Sequence, residues 1–203
     1  MTMRSFARRR QNTSRLLPLL RSPLLGELMA WICLHPEMNY SLAELARRFN
    51  VSQSAIGKEA DRLAEAGLVR SEWRGNLRLL RAEPSNPLAR PLTELLALTY
   101  GPIAVLADLL PAVPGVVEAY LYGSWAAHYA GEPGPPPPDV HVLVVGDADG
   151  AELAGAADLA ERQLGRAVHL YQVSSMEWRW PERDPFLMSV RSSPAYALVG
   201  APR

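Results

Sequence analysis

Gln53, Ser54, Gly57, Lys58 and Arg62 are spaced so that one side of a helix would carry them all, and their side chains suit contact with a nucleic-acid duplex. A glutamine amide pairs bidentately with the edge of adenine, a serine hydroxyl meets either kind of base edge, and lysine or arginine holds phosphate. Gln53 is thus the expected base reader, with Lys58 and Arg62 on the backbone. A second set lies far downstream. Asp139 and His141 alternate along a strand and so share a face, and His169 falls in a later strand. If those strands are neighbours, the three form a two-His, one-carboxylate set that zinc or iron would accept; otherwise they are polar residues at a pocket mouth. Cys33 is the single cysteine, so it can form no internal disulfide and reads as a small buried apolar residue.

The elements that must position the first set are clearly marked. Ser22-Pro23 opens a helix carrying Leu24, Leu28, Trp31 and Ile32 at helical spacing, ending near His35-Pro36. Ser41 and Glu44 make a capping box before the stripe Leu42, Leu45, Ala46 and Phe49. Asn50-Val51 is a tight turn, Ser52 caps a third helix with Ile56, Ala60 and Leu63 buried, and Gly67 ends it. Leu68 to Trp73-Arg74, a Gly75-Asn76 turn, and Leu77 to Arg81 then read as a hairpin. A helix-turn-helix plus basic wing over residues 22–82 resembles the winged helix of ArsR-type and MarR-type bacterial regulators. The resemblance is carried by Phe49-Asn50-Val51-Ser52-Gln53-Ser54-Ala55-Ile56 and Ala66-Gly67-Leu68-Val69. It implies that Ser52, Gln53, Ser54, Lys58 and Arg62 face double-stranded DNA, with Arg70, Arg74, Asn76 and Arg78 of the wing on the minor groove or flanking phosphates, and that the protein is a homodimer.

Composition agrees with a folded chain and adds a charge division. The 203 residues are 48% hydrophobic and 21% charged, which excludes disorder and collagen-like repeats. The early apolar run Leu16 to Leu20 is interrupted by Pro18 and is too short to span a bilayer, so no membrane is expected and the location is expected to be cytoplasmic. Residues 1–90 hold 15 Lys+Arg against 8 Asp+Glu, whereas residues 91–203 hold 6 against 13. A positive front half on a neutral chain calls for an anionic partner, and Arg8-Arg9-Arg10 reads either as a phosphate-binding arm or as a solvated tail.

Pro84, Pro87 and Pro91 punctuate a junction, after which Leu92 to Leu110 is helix-like with a break at Gly101-Pro102. Too apolar for a lone surface helix, it is expected to pack across a dimer axis with the first helix. Beyond it come a strand Val116 to Tyr122, a Gly123-Ser124 turn, a short helix from Trp125, a proline-rich loop, a strand Val140 to Val145, a helix Ala151 to Leu164 and a strand Ala167 to Val173. This order resembles minimal bacterial members of the DNA polymerase beta superfamily of nucleotidyltransferases, over roughly residues 112–200. The resemblance implies a glycine turn that lets backbone amides approach a triphosphate, a serine on phosphate, and three strand carboxylates holding magnesium. Gly123, Ser124 and Asp139 match; His141 and His169 stand where the second and third carboxylates belong. Imidazoles in two of three places remove about two negative charges and offer magnesium the wrong ligand.

The expectation is an α+β protein: a basic arm over 1–21, a winged helix-turn-helix over 22–90, a linker helix over 91–111, and a small mixed α/β nucleotidyltransferase-like domain over 112–203. It binds DNA as a sequence-specific transcriptional regulator, and the last domain serves as an inactive effector or scaffold module. No cofactor is expected, magnesium or a nucleotide binding only at a vestigial Gly123-Ser124 site, with zinc the alternative at Asp139, His141 and His169. A small-molecule or nucleotide effector is open. The competing reading is an active nucleotidyltransferase that modifies a protein or RNA and is localised by its winged helix. In the tail, Trp178 and Trp180 are expected to bury against the sheet, and His128 to line a pocket or the surface.

Overall fold

The computed structural model describes residue 20 and residues 22–200. The arm over 1–21, Arg8-Arg9-Arg10 included, therefore lies almost wholly outside the described residues.

Helix α1 (Pro23–Cys33) starts where Ser22 accepts from the Leu25 amide, with proline at its first position. A two-residue strand β1 (Tyr40–Ser41) leads into α2 (Leu42–Phe49), whose Ser41–Glu44 capping box forms in both directions. Those bonds also hold the Glu44 carboxyl below the usual carboxylate range. Asn50 adopts the left-handed conformation at φ 54°, which asparagine tolerates better than most residues, and so turns the chain into α3 (Gln53–Glu65). Strands β2 (Val69–Arg74) and β3 (Leu77–Ala82) pair antiparallel, joined by Gly75-Asn76 with Gly75 at φ 58°, as a II′ turn requires. With β1 they form a three-stranded sheet in the order β1-β3-β2.

The junction helix is two helices, α4 (Ala89–Tyr100) and α5 (Pro102–Leu109), separated by Gly101. By length and mean hydropathy, 1.6, the stretch Ala89–Ala112 is apolar enough to cross a bilayer. Here it serves the core: Leu96, Ala97, Val105, Leu106 and Leu110 are buried, with α4 against α1 and α5 against a later helix, α7 (Gly150–Leu164). In α1, Leu28, Met29, Ala30, Ile32 and Cys33 are buried within the chain, while Leu24, Leu25 and Trp31 are half-buried. Exposed apolar side chains do occur at α4, where Leu88 at its N-cap and Leu95 and Leu98 within it face outward.

The second half is built on β4 (Val116–Tyr122), α6 (Ser124–Tyr129), β5 (Asp139–Gly146), α7, β6 (Ala167–Val173), α8 (Ser175–Arg179), α9 (Pro185–Ser192) and β7 (Tyr196–Val199). The sheet order is β6-β5-β4-β7, with β5 and β6 parallel and the other pairs antiparallel. A parallel pair needs a crossover, and α7 supplies it, capped by Asp149 on the amides of Ala151 and Glu152. One apolar cluster runs from α1 and α3 through α4 and α5 into β4, β5 and α7. A smaller one lies on the other sheet face, where buried Trp178 packs on Tyr120. Trp180 departs from expectation: it is 61% exposed, because α8 ends there and turns its ring outward.

Cys33 is buried as expected, and burial raises its thiol to about 11. Below that value it stays protonated and shielded. We expect its iodoacetamide labelling at pH 8 to track the fraction unfolded across a urea titration; rapid labelling without denaturant would contradict its placement.

Candidate nucleic-acid interface

Helix α3 buries Ile56, Ala60 and Leu63 and turns Gln53, Ser54, Lys58, Asp61 and Arg62 outward. Its N-terminus is set by Ser52, whose hydroxyl accepts from the Ala55 amide at 3.1 Å. Ser52 is thus occupied as a cap first, leaving Gln53 and Ser54 as the exposed first-turn residues. The hairpin stands beside α3 and is tied to it by Arg78, which reaches Asp61 at 2.7 Å and donates to Ser71 Oγ at 2.7 Å.

Charge is distributed less simply than the division at residue 90 suggests. Six of the fifteen front-half basic residues, Arg4, Arg8, Arg9, Arg10, Arg15 and Arg21, precede α1, so residues 22–90 hold nine Lys+Arg against eight Asp+Glu. Of the positions named from sequence, Arg62 pairs with Glu59 at 2.9 Å and Arg70 with Glu83 at 2.5 Å, in addition to the Arg78–Asp61 pair. Lys58 and Arg74 have no ion-pair partner among the described residues. Among the positions named from sequence they are the two cations whose charge is not already met by a carboxylate. Trp73, 69% exposed, and Asn76 complete the hairpin tip.

A tie between the halves was not apparent in the sequence. Arg48, on the last turn of α2, lays its guanidinium 3.3 Å from the ring centre of Trp31 and donates to the carbonyls of Arg162 (2.7 Å) and Gln163 (3.0 Å) at the end of α7. A cation on the free carbonyls of a helix C-terminus is well placed. The turn is closed by Gly165 at φ 66°, where a Cβ would stand 2.1 Å from Trp31 Cη2. Arg166 follows, donating to the Leu34 carbonyl and reaching Glu37 at 3.3 Å. The signal available was weak, since an arginine in a last helical turn ordinarily reads as solvated and its partners lie more than a hundred residues away. We expect Gly165→Val to destabilise the fold by about 2–3 kcal/mol, from φ strain and displacement of Trp31 together, measured by urea unfolding.

No family model and no curated protein matches the chain. Solved structures that resemble part of it include the following two. Reduced HlyU of Vibrio cholerae aligns at 21% identity and TM-score 0.34, over 44% of this chain and 88% of that one. The transcriptional regulator BldR of Sulfolobus solfataricus aligns at 23% identity and TM-score 0.38, over 51% of this chain and 71% of that one.

The downstream set does come together. Tyr122 pairs with His141 across β4 and β5, and His141 with His169 across β5 and β6. The imidazoles stack at 5.0 Å with planes 29° apart, and Tyr122 lies 5.8 Å from His141. Asp139 Oδ2 is 3.0 Å from His141 Nε2. Gly123 takes a positive φ of 74° and, with Ser124, is exposed at the end of this row. Stacked rings direct their nitrogen lone pairs within nearly parallel planes, so the two imidazoles do not converge on one point. Among the described residues no three His, Cys, Asp or Glu side chains are disposed to hold a metal ion. For magnesium the donor set does not fit either: Asp139 is the single carboxylate, already bonded to His141, where an octahedral ion wants several hard oxygens. Asp147 and Asp149 lie at the far end of β5 and do not supply them.

Proposed function

We propose that the chain is a sequence-specific DNA-binding transcriptional regulator whose α3 enters the major groove and whose hairpin tip lies on the adjoining minor groove and phosphates. The observation that carries this reading is the presentation of Gln53, Ser54 and unpaired Lys58 on the outer face of a capped helix, beside a hairpin tip bearing unpaired Arg74. Gln53 reads base edges, Lys58 and Arg74 position the protein on phosphate, and the N-terminal arginines supply further backbone charge. Arg62, Arg70 and Arg78 must first give up Glu59, Glu83 and Asp61, and act more weakly. A second copy of the chain joins through Leu88, Leu95 and Leu98, which share one side of α4, and two such modules supply the affinity one lacks. The site of action is the cytoplasm.

In this reading residues 112–200 are a nucleotidyltransferase-like module without catalysis. The support is chemical: imidazoles occupy two of the places where that chemistry needs carboxylates. The competing reading, an active transferase, makes a different forecast. Incubation with labelled nucleoside triphosphates and magnesium or manganese should leave the protein and added RNA unlabelled, whereas transfer that depends on Asp139 would establish the enzyme. DNA binding itself is tested by mobility shift with genomic fragments against random duplex. A reproducible preference supports the regulator; equal retention of both removes it.

A further inference from the structure

We propose that the cleft between the two halves binds a small monocarboxylate with an apolar body, its charge taken by Arg166 in place of Glu37. The cleft has a volume of about 690 Å³, within the range of small-molecule sites. Its walls come from both halves: Cys33 at the end of α1 and Glu37 after it, Leu68 and Ala82 at the base of the hairpin, Thr93 on α4, and the loop preceding β5. None of Gly123, Ser124, Asp139, His141 and His169 lines it, so this is not the vestigial nucleotide site.

Two features define the occupant. Six of the lining residues are prolines, four of them from the loop between Pro133 and Pro138, which makes the walls stiff, apolar and poor in hydrogen-bond donors. Against them sits one buried cation. Arg166 is 8% exposed, its Nε has no hydrogen-bond partner among the described residues, and its carboxylate neighbour Glu37 is half-exposed and 3.3 Å away. A well-formed charge-assisted pair closes to about 2.7–2.9 Å, so the guanidinium is under-satisfied and Glu37 is a displaceable counter-ion. The remaining charges limit the occupant to one negative charge: Arg90 and Glu94 neutralise each other at 2.9 Å, and Glu132 leaves the rim acidic. His128, on the wall, is held towards its neutral form by burial and adds no cation.

An occupant would touch the hairpin base and the segment after α1 together. Arg166 also bonds the Leu34 carbonyl, so exchange of Glu37 for a ligand acts directly on the segment that leads into β1 and α2. In its regulatory meaning this site rests on the DNA-binding reading proposed above; as a binding site it does not.

Isothermal titration calorimetry on the full chain with sodium octanoate, octanamide and octylamine, in the absence of DNA, tests it. Octanoate should bind at least ten-fold tighter than octanamide. Arg166→Gln should erase that preference, and Glu37→Gln should tighten octanoate several-fold by removing the competing carboxylate. No binding of octanoate, equal binding of octanamide, or tightest binding of octylamine overturns the proposal. Because Arg166 bridges the halves, its variant could fail to fold; Glu37→Gln, at a half-exposed position, then decides alone, and weakened or unchanged octanoate binding overturns the proposal. Loss of DNA binding in a separate assay would remove the regulatory reading and leave these heats unaffected.

Discussion

Deleting residues 1–19 is expected to weaken DNA binding and to flatten its salt dependence. Residues 22–90 are nearly neutral, with nine basic against eight acidic residues, and several of the nine are already paired within the fold. Five arginines stand in the first nineteen residues. Each phosphate contact contributes about 0.9 to the slope of log affinity against log salt. If Arg8, Arg9 and Arg10 each neutralise one phosphate, the slope falls by about 3 on truncation, and the affinity gap between full and truncated protein shrinks roughly 40-fold between 50 and 200 mM salt. Fluorescence anisotropy across that range provides the number. An unchanged slope would mean the arginines are solvated, and that the affinity comes from the described surface alone.

The double variant Gln53→Ala/Lys58→Ala is expected to lose about 2–4 kcal/mol of specific binding, roughly 30- to 1,000-fold, while leaving the fold intact. Both side chains are exposed and neither contributes to the apolar face of α3, so circular dichroism and urea midpoint should match the parent. The two parts are separable. Gln53→Ala should relax sequence preference at one position, whereas Lys58→Ala should weaken binding uniformly across sequences and lower the salt slope by about 1. Arg62→Ala makes a useful contrast, because its charge is already met by Glu59 and an exposed pair is worth little, so its loss should stay within a few-fold. Equal effects from Lys58 and Arg62 would show that ion pairing in the free protein does not govern which cations reach DNA.

Local signals in the sequence suffice where the physics is local. Ser22, Ser41 and Ser52 cap the helices they were expected to cap, Asn50 makes the left-handed turn, and β4 and β6 begin and end where their apolar patterns do. A cap or a strand pattern is decided by residues three or four positions apart. The junction of the halves was not legible, because Arg48 and Arg166 draw their roles from carbonyls and carboxylates more than a hundred residues away. The same limit explains Trp180, whose type favours burial but whose position past α8 leaves it outside the core. Spacing puts Asp139 and His141 on one strand face but leaves open whether the strand of His169 lies beside them; it does, and the two rings stack, which makes an aromatic row rather than a ligand set.

Sequence-specific binding is measured by selecting bound sequences from a random duplex pool and then comparing anisotropy on the selected and scrambled sites at 150 mM salt. A preference of at least 1,000-fold for the selected site is expected, cut by about 1–3 kcal/mol in Gln53→Ala and left unchanged in Lys58→Ala, which lowers both affinities alike. No enrichment, or equal affinity for selected and scrambled duplex, would contradict it.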